Sequence, residues 1–177
     1  MDFDKTYFEK YGAFHRGDYE VFERHKGMFP SNSVLWVGSF QGKIVKHLRE
    51  DLGVDCRGFD INKYVIENAN FIPEYNTWND IVNPVGYIRP ADIVVCKDVL
   101  EHLCFEDAIK SIKNLIGLTN HLLIIGITVS EHDSYFTDVT HKTFFSFNTW
   151  GEIIEYYGTR ILRKSKKYGE YVCLRIK

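Results

Sequence analysis

From residue 33 onward, short continuous apolar runs alternate with apolar stripes at helical spacing. Val34-Leu35-Trp36-Val37 reads as a strand buried on both faces, as in a parallel sheet. Ile44, Val45, Leu48 and Leu52 then recur at helical intervals, and Gly53 is placed to stop that helix. Residues 54–59 predict a second strand. Asn62 can cap a helix carrying Tyr64, Val65, Ile66 and Ala69. A weak third strand is expected between 71 and 77. Ile93-Val94-Val95-Cys96 predicts a strong fourth strand. The stripe Ala108, Ile109, Ile112, Leu115 and Ile116 predicts a helix ended by Gly117, and residues 122–127 a fifth strand.

The alternation then breaks. Residues 128–146 form a loop that is long for a compact domain, which often means function. Thr149 with Glu152 fits a capping box, and Trp150, Ile153, Ile154 and Tyr157 give the following helix one apolar face. Gly158 ends it. Two strands joined by a tight turn near Tyr168-Gly169 complete the pattern. Residues 1–30 are rich in aromatics (Tyr7, Phe8, Tyr11, Phe14, Tyr19, Phe22, Phe29) and read as a helical lead-in. Within it Asp18 can cap a helix whose inner face includes Val21 and Phe22, with Pro30 ending it. The expected fold class is α/β: a three-layer, doubly wound, mostly parallel seven-stranded sheet with an antiparallel C-terminal hairpin strand. Residues 1–177 are read as a single domain, with 1–30 as lead-in and 33–177 as a Rossmann-like core.

Composition narrows the function classes. The 177 residues are enough for one domain with a sizeable core, and the hydrophobic and charged fractions, 45% and 26%, are those of an ordinary globular protein. A formal charge of −2 gives no broad attraction to nucleic acid or membrane. The basic run from Arg160 to Lys167 reads as the solvated face of an edge strand. Cys56, Cys96, Cys104 and Cys173 form no close C-x-x-C pair, and Cys96 and Cys173 read as small core residues. The first residues carry no apolar signal segment, and no apolar run approaches membrane-spanning length. A cytoplasmic, reduced setting is therefore expected, with no membrane or nucleic-acid partner and the oligomeric state left open.

The chemistry gathers at the turn after the first strand, Val37-Gly38-Ser39-Phe40-Gln41-Gly42. An apolar strand runs into two glycines and a helix follows at once, while Asp60 closes the second strand. That layout sets backbone amides and a carboxylate around one crevice, as in nucleoside-cofactor sites. Gly38 and Gly42 allow close backbone approach and positive φ. Lys97 and Asp98 end the fourth strand, and Glu101 and His102 begin the next turn, where a base could take a proton from an oxygen or nitrogen nucleophile. His141, flanked by Asp138 and Thr140, lies in the long loop.

These segments resemble the class I S-adenosylmethionine-dependent methyltransferases. The likeness rests on VLWVGSFQG, on GFDIN and on ADIVVCKDVLEHL, and more weakly on DVTHKTFFSFNTW. It covers the chain from about Ser33 to its end. The resemblance implies S-adenosyl-L-methionine as cofactor, held by Gly38, Ser39, Phe40, Gly42, Asp60, Ile61, Asp80 and Lys97. Asp60 would accept hydrogen bonds from the ribose hydroxyls, Ile61 would flank the adenine, and Asp80 stands where family members contact the adenine amino group. His102, His141 and Asp98 are the catalytic candidates, no metal ligand is assigned, and the substrate is a small molecule methylated on oxygen or nitrogen. Trp36 and Phe40 depart from the pattern: the family usually has an acidic residue at the first position and glycine at the second, and an indole cannot accept a hydrogen bond. Two alternatives stay open. One is a non-catalytic binding domain of the same fold with a degenerate loop. The other is a divalent-metal-dependent enzyme similar to the small-RNA 2′-O-methyltransferases, with Asp98, Glu101, His102 and His141 as oxygen and nitrogen ligands.

Overall fold

The computed structural model describes residues 16–29, 32–68, 74–132 and 136–176. Tyr7, Phe8, Tyr11, Phe14, Pro30 and Ala69 lie outside the described residues. Seven strands form one sheet of order β3-β2-β1-β4-β5-β7-β6, with β1 Val34–Val37, β2 Cys56–Asp60, β3 Asn76–Trp78, β4 Ala91–Lys97, β5 Thr119–Gly126, β6 Thr159–Ser165 and β7 Glu170–Arg175. The chain divides into two compact units, Met1–Asp80 and Ile81–Lys177.

In the first unit, β1 pairs in parallel with β2 (Val34 opposite Cys56, Val37 opposite Phe59), and β2 with β3 (Asp60 opposite Trp78). All four β1 side chains are buried, as the continuous apolar run requires. Helix α1, Arg16–His25, buries Val21 and Phe22. Asp18 lies in its first turn instead of capping it, and its side chain is buried. His25, in its last turn, is 2% exposed. Helix α2, Lys43–Lys46, widens at once into a π turn over His47–Asp51. Ile44, Val45 and Leu48 are buried as the spacing requires. The wider turn rotates later residues off that face, so Leu52, expected in the core, is 47% exposed. The Asn62 side chain accepts the Val65 amide at 3.1 Å and caps helix α3, Lys63–Asn68, as its side-chain chemistry predicts.

In the second unit, β4 and β5 run parallel, and β7 returns antiparallel between β5 and β6. Helix α4, Phe105–Leu118, buries Ala108, Ile112, Leu115 and Ile116. Gly117 does not end it: the helix runs on to Leu118, and the Thr119 hydroxyl donates to the Leu115 carbonyl at 2.7 Å, satisfying the last turn without a glycine. Helix α5, Phe147–Tyr156, starts one turn before the expected capping box. Its cap is Ser146, whose oxygen accepts the Thr149 amide at 3.1 Å, while Glu131 accepts the Phe147 amide at 3.0 Å. Cys96 and Cys173 are core residues, and the Arg160–Lys167 run lies along and just beyond the edge strand β6. No helix among the described residues is long and apolar enough to cross a membrane.

Candidate active site

The first unit folds its glycine turn tightly onto β2. Gly38, Phe40 and Gly42 all have positive φ, at 74°, 50° and 73°. For Phe40 this is a strained backbone, held in place by hydrogen bonds. The amides of Gly38 and Ser39 donate to the Phe59 carbonyl at 3.0 and 3.1 Å, and the Phe40 amide donates to Asp60 Oδ2 at 2.9 Å. Asp60 Oδ1 accepts the Asn62 amide at 2.8 Å. One carboxylate thus ties the turn to the start of α3. Burial raises the Asp60 pKa, and the amides of Asn62 and Phe40 oppose that by stabilising the anion. Each carboxylate oxygen has capacity for a second hydrogen bond.

Two residues outside the turn, Asn76 and Gly58, complete it. Asn76 of β3 accepts the Ser39 hydroxyl at 2.5 Å and donates to the Phe40 carbonyl at 3.1 Å. A Cβ on Gly42 would stand 2.7 Å from the Asn76 side chain, so glycine is needed there for both space and φ. A Cβ on Gly58 would meet Val45 at 2.7 Å and Ser39 at 2.8 Å. A glycine inside a strand does signal close approach. Asn76 has no such sign, because its partners lie far away in sequence.

The remaining first-unit candidates sort by exposure. Ser39 is buried and turned to Asn76. Phe40 is half-buried and lines a pocket with Asp18, Tyr19, Gln41, Lys43 and Ile44. Trp36 is fully buried, and its indole N–H has no hydrogen-bond partner among the described residues. Ile61 is 50% exposed and Trp78 is 41% exposed, and the Trp78 N–H donates to the Ile61 carbonyl at 2.9 Å. These two apolar side chains stand beside Asp60 at the end of β2. The Asp80 amide donates to the Asn79 side chain at 2.8 Å, and the Asn79 amide to the Asp60 carbonyl at 3.0 Å.

In the second unit, β4 ends in an ion pair between Lys97 and Asp98. Asp98 has φ 52°, and its amide donates to the Gly126 carbonyl at 3.0 Å. A 3₁₀ turn, Leu100–His102, follows and is buried throughout. The Glu101 side chain is 0% exposed. Its Oε1 accepts the Thr128 amide at 2.7 Å, while Oε2 has no hydrogen-bond partner among the described residues. Burial, with the Asp98 charge adding to it, pushes the Glu101 pKa up to about 8.

The long loop is stitched onto this turn. The Lys142 and Thr143 amides donate to the Glu101 carbonyl at 2.8 and 3.2 Å, and the Thr143 hydroxyl donates to the Leu103 carbonyl at 2.5 Å. Thr140 Oγ1 lies 2.8 Å from His102 Nδ1 and donates to Asp138 Oδ1 at 2.5 Å, and the Thr140 amide donates to the same oxygen at 2.9 Å. The Asp-x-Thr spacing is the local signal for such a side-chain turn. Through these bonds the rings of His102 and His141 come to 4.9 Å, and Glu101, His102 and His141 offer ligand atoms within 4.8 Å of one another, all buried. Burial lowers the His102 pKa, with His141 contributing, so the ring is neutral around pH 7. Burial acts upward on Asp138, but the two Thr140 hydrogen bonds and the nearby histidines bring its pKa below the usual range. The loop therefore brings His102, His141 and Glu101 together, and Asp98 stays paired with Lys97.

No family model matches the sequence, and no curated protein matches it. Solved structures do. Magnesium protoporphyrin IX methyltransferase of Synechocystis PCC 6803, with bound SAH, superposes with a TM-score of 0.72 at 18% identity, covering 98% of this chain and 96% of that one. A SAM-dependent methyltransferase from Archaeoglobus fulgidus gives 0.68 at 22% identity, covering 90% and 75%. The methyltransferase domain of bacterial CtHen1 gives 0.65 at 18% identity, covering 90% and 97%. At these identities the likeness is one of fold, and the fold is that of the class I S-adenosylmethionine-dependent methyltransferases.

Proposed function

We propose that the chain is an S-adenosylmethionine-dependent methyltransferase that methylates an oxygen or nitrogen of a small molecule. The observation that carries this is Asp60. Its carboxylate ends β2, is tied by Phe40 and Asn62 amides to the glycine turn, and has acceptor capacity left on both oxygens. Two adjacent ribose hydroxyls match that capacity. The exposed side chains of Ile61 and Trp78 beside it suit the flat face of an adenine. Trp36, buried in β1, replaces an acidic contact with core packing and leaves the Asp60 arrangement intact.

When bound near Asp60 and the glycine turn, the cofactor would supply an electrophilic methyl carbon on a sulfonium, with the thioether as leaving group. The protein's part is to hold that carbon in line with the acceptor and to remove one proton. His102, neutral and buried, is the group for the proton, and His141 and Glu101 shape its surroundings. A negative net charge suits a small acceptor better than a polyanion. Calorimetry with S-adenosylhomocysteine tests the reading. The native chain binds it, and Asp60→Ala loses at least about tenfold in affinity, since hydrogen bonds to a charged group are worth about 1.5–3 kcal/mol each. Absence of binding by the native chain sinks the proposal.

The convergence of Glu101, His102 and His141 favours a second reading, an enzyme similar to the divalent-metal-dependent RNA 2′-O-methyltransferases. The donor set fits a divalent cation: two imidazoles and a carboxylate whose Oε2 is buried without a partner among the described residues. A cation there would orient and polarise an acceptor's hydroxyl oxygen. Asp98, the expected first ligand, does not join the cluster. Stoichiometric Mn²⁺ binding that disappears in His141→Ala supports this reading, and a native chain that takes up no Mn²⁺ removes it.

A further inference from the structure

The loop that carries His141 also reaches His102 through a neighbouring hydroxyl, and the direction of each hydrogen bond there follows from chemistry. Asp138 takes both the Thr140 hydroxyl and the Thr140 amide on one oxygen, and a carboxylate so placed is an acceptor. Thr140 has one hydroxyl proton. At 2.5 Å from Asp138 Oδ1 that proton belongs to the Thr140–Asp138 bond. The same hydroxyl oxygen lies 2.8 Å from His102 Nδ1, so across this contact Thr140 is the acceptor and Nδ1 the donor. The Thr140 amide, donating to the same Asp138 oxygen at 2.9 Å, fixes the geometry of the turn. Thr140 is 6% exposed and His102 9%, so water competes poorly for either bond.

We propose that Asp138 and Thr140 are positioning residues: they hold the ring proton of His102 on Nδ1, so that Nε2 carries the lone pair and acts as the base or ligand atom. This rests on the reading that His102 acts in the reaction. The chain from carboxylate to hydroxyl to imidazole does what a carboxylate bound directly to a histidine does elsewhere, setting the tautomer and orienting the ring. An inserted hydroxyl adds a logical consequence. Once Asp138 is gone, Thr140 regains its proton for donation. It then donates to Nδ1, and the ring proton moves to Nε2, on the wrong side for the chemistry.

The test is nitrogen NMR of the histidine-labelled full chain without cofactor, substrate or metal, at a pH where His102 is neutral. The native His102 is expected in the Nδ1-protonated tautomer by about tenfold or more, the preference that one charge-assisted hydrogen bond network sustains. Asp138→Ala is expected to reverse it, Thr140→Val to leave a mixture, and Thr140→Ser to restore the native signature. A native ring protonated on Nε2, or a tautomer unchanged in both Asp138→Ala and Thr140→Val, overturns the proposal. Calorimetry with S-adenosylhomocysteine on the same variants separates the two ideas. Native cofactor affinity with a shifted tautomer supports the positioning role, whereas failure of the native chain to bind cofactor refutes the methyltransferase reading and leaves the tautomer result standing on its own.

Discussion

Single residues carry the most exposed consequences of this fold. Glu101 is the sharpest. Its carboxyl is held at about 8 against an ordinary 4.5, so it folds best protonated. The stability it allows is fully present below its unfolded value and is lost as pH rises through its folded one. In chelator-treated buffer, the melting temperature of the native chain is therefore expected to fall relative to Glu101→Gln between about pH 5 and pH 9. Glutamine can still accept the Thr128 amide but carries no charge to bury. Parallel melting curves of the two proteins across that range would contradict the buried, protonated state. Asp60 and His141 stand out in the sequence as site candidates by spacing and context alone. The burial of Glu101 does not stand out in the same way, because it is a property of packing and leaves no trace in the letters Asp-Val-Leu-Glu-His.

At the level of elements, the glycine turn depends on a strand that scarcely announces itself. β3 has three residues, Asn76–Trp78, and its sequence gave a weak and displaced signal. Yet Asn76 makes two hydrogen bonds to the turn, and Gly42 is glycine because of it. Asn76→Ala should destabilise the protein by about 1–3 kcal/mol, since Ser39 is left buried without its partner. A urea midpoint equal to that of the native chain would show that the turn holds itself. Long stripes such as Ala108 to Ile116 were read correctly because helical periodicity is local. The errors fell at ends. Thr119 closes α4 through its hydroxyl where Gly117 was expected to, Ser146 caps α5 in place of Thr149, and the π turn lifts Leu52 out of the core. Each depends on a bond or rotation that residue type alone does not specify.

For the whole molecule, the sheet must end somewhere, and its two edges end differently. β3 is too short to template another strand, while β6 is long and carries Arg160, Arg163 and Lys164 exposed. Charge on an edge strand blocks pairing with a second chain. Replacing Arg163 with Val and Lys164 with Thr together should leave the chain folded but raise light scattering with time and concentration; unchanged scattering would mean that edge is guarded by something else. Alternating strand and helix made the parallel sheet predictable, and the closing hairpin was visible from its turn. The insertion of β7 between β5 and β6 is a long-range choice of partner. The pairing of Trp78 with Asp60 across β2 and β3 has one more consequence. Trp36 and Trp150 are sealed in the core, so the long-wavelength emission of the protein comes from Trp78. An adenine arriving beside Asp60 should quench that red-shifted band, and Trp78→Phe should erase the optical change while calorimetry still records the ligand. The chain would thus report its own occupancy in a fluorimeter, with no label attached.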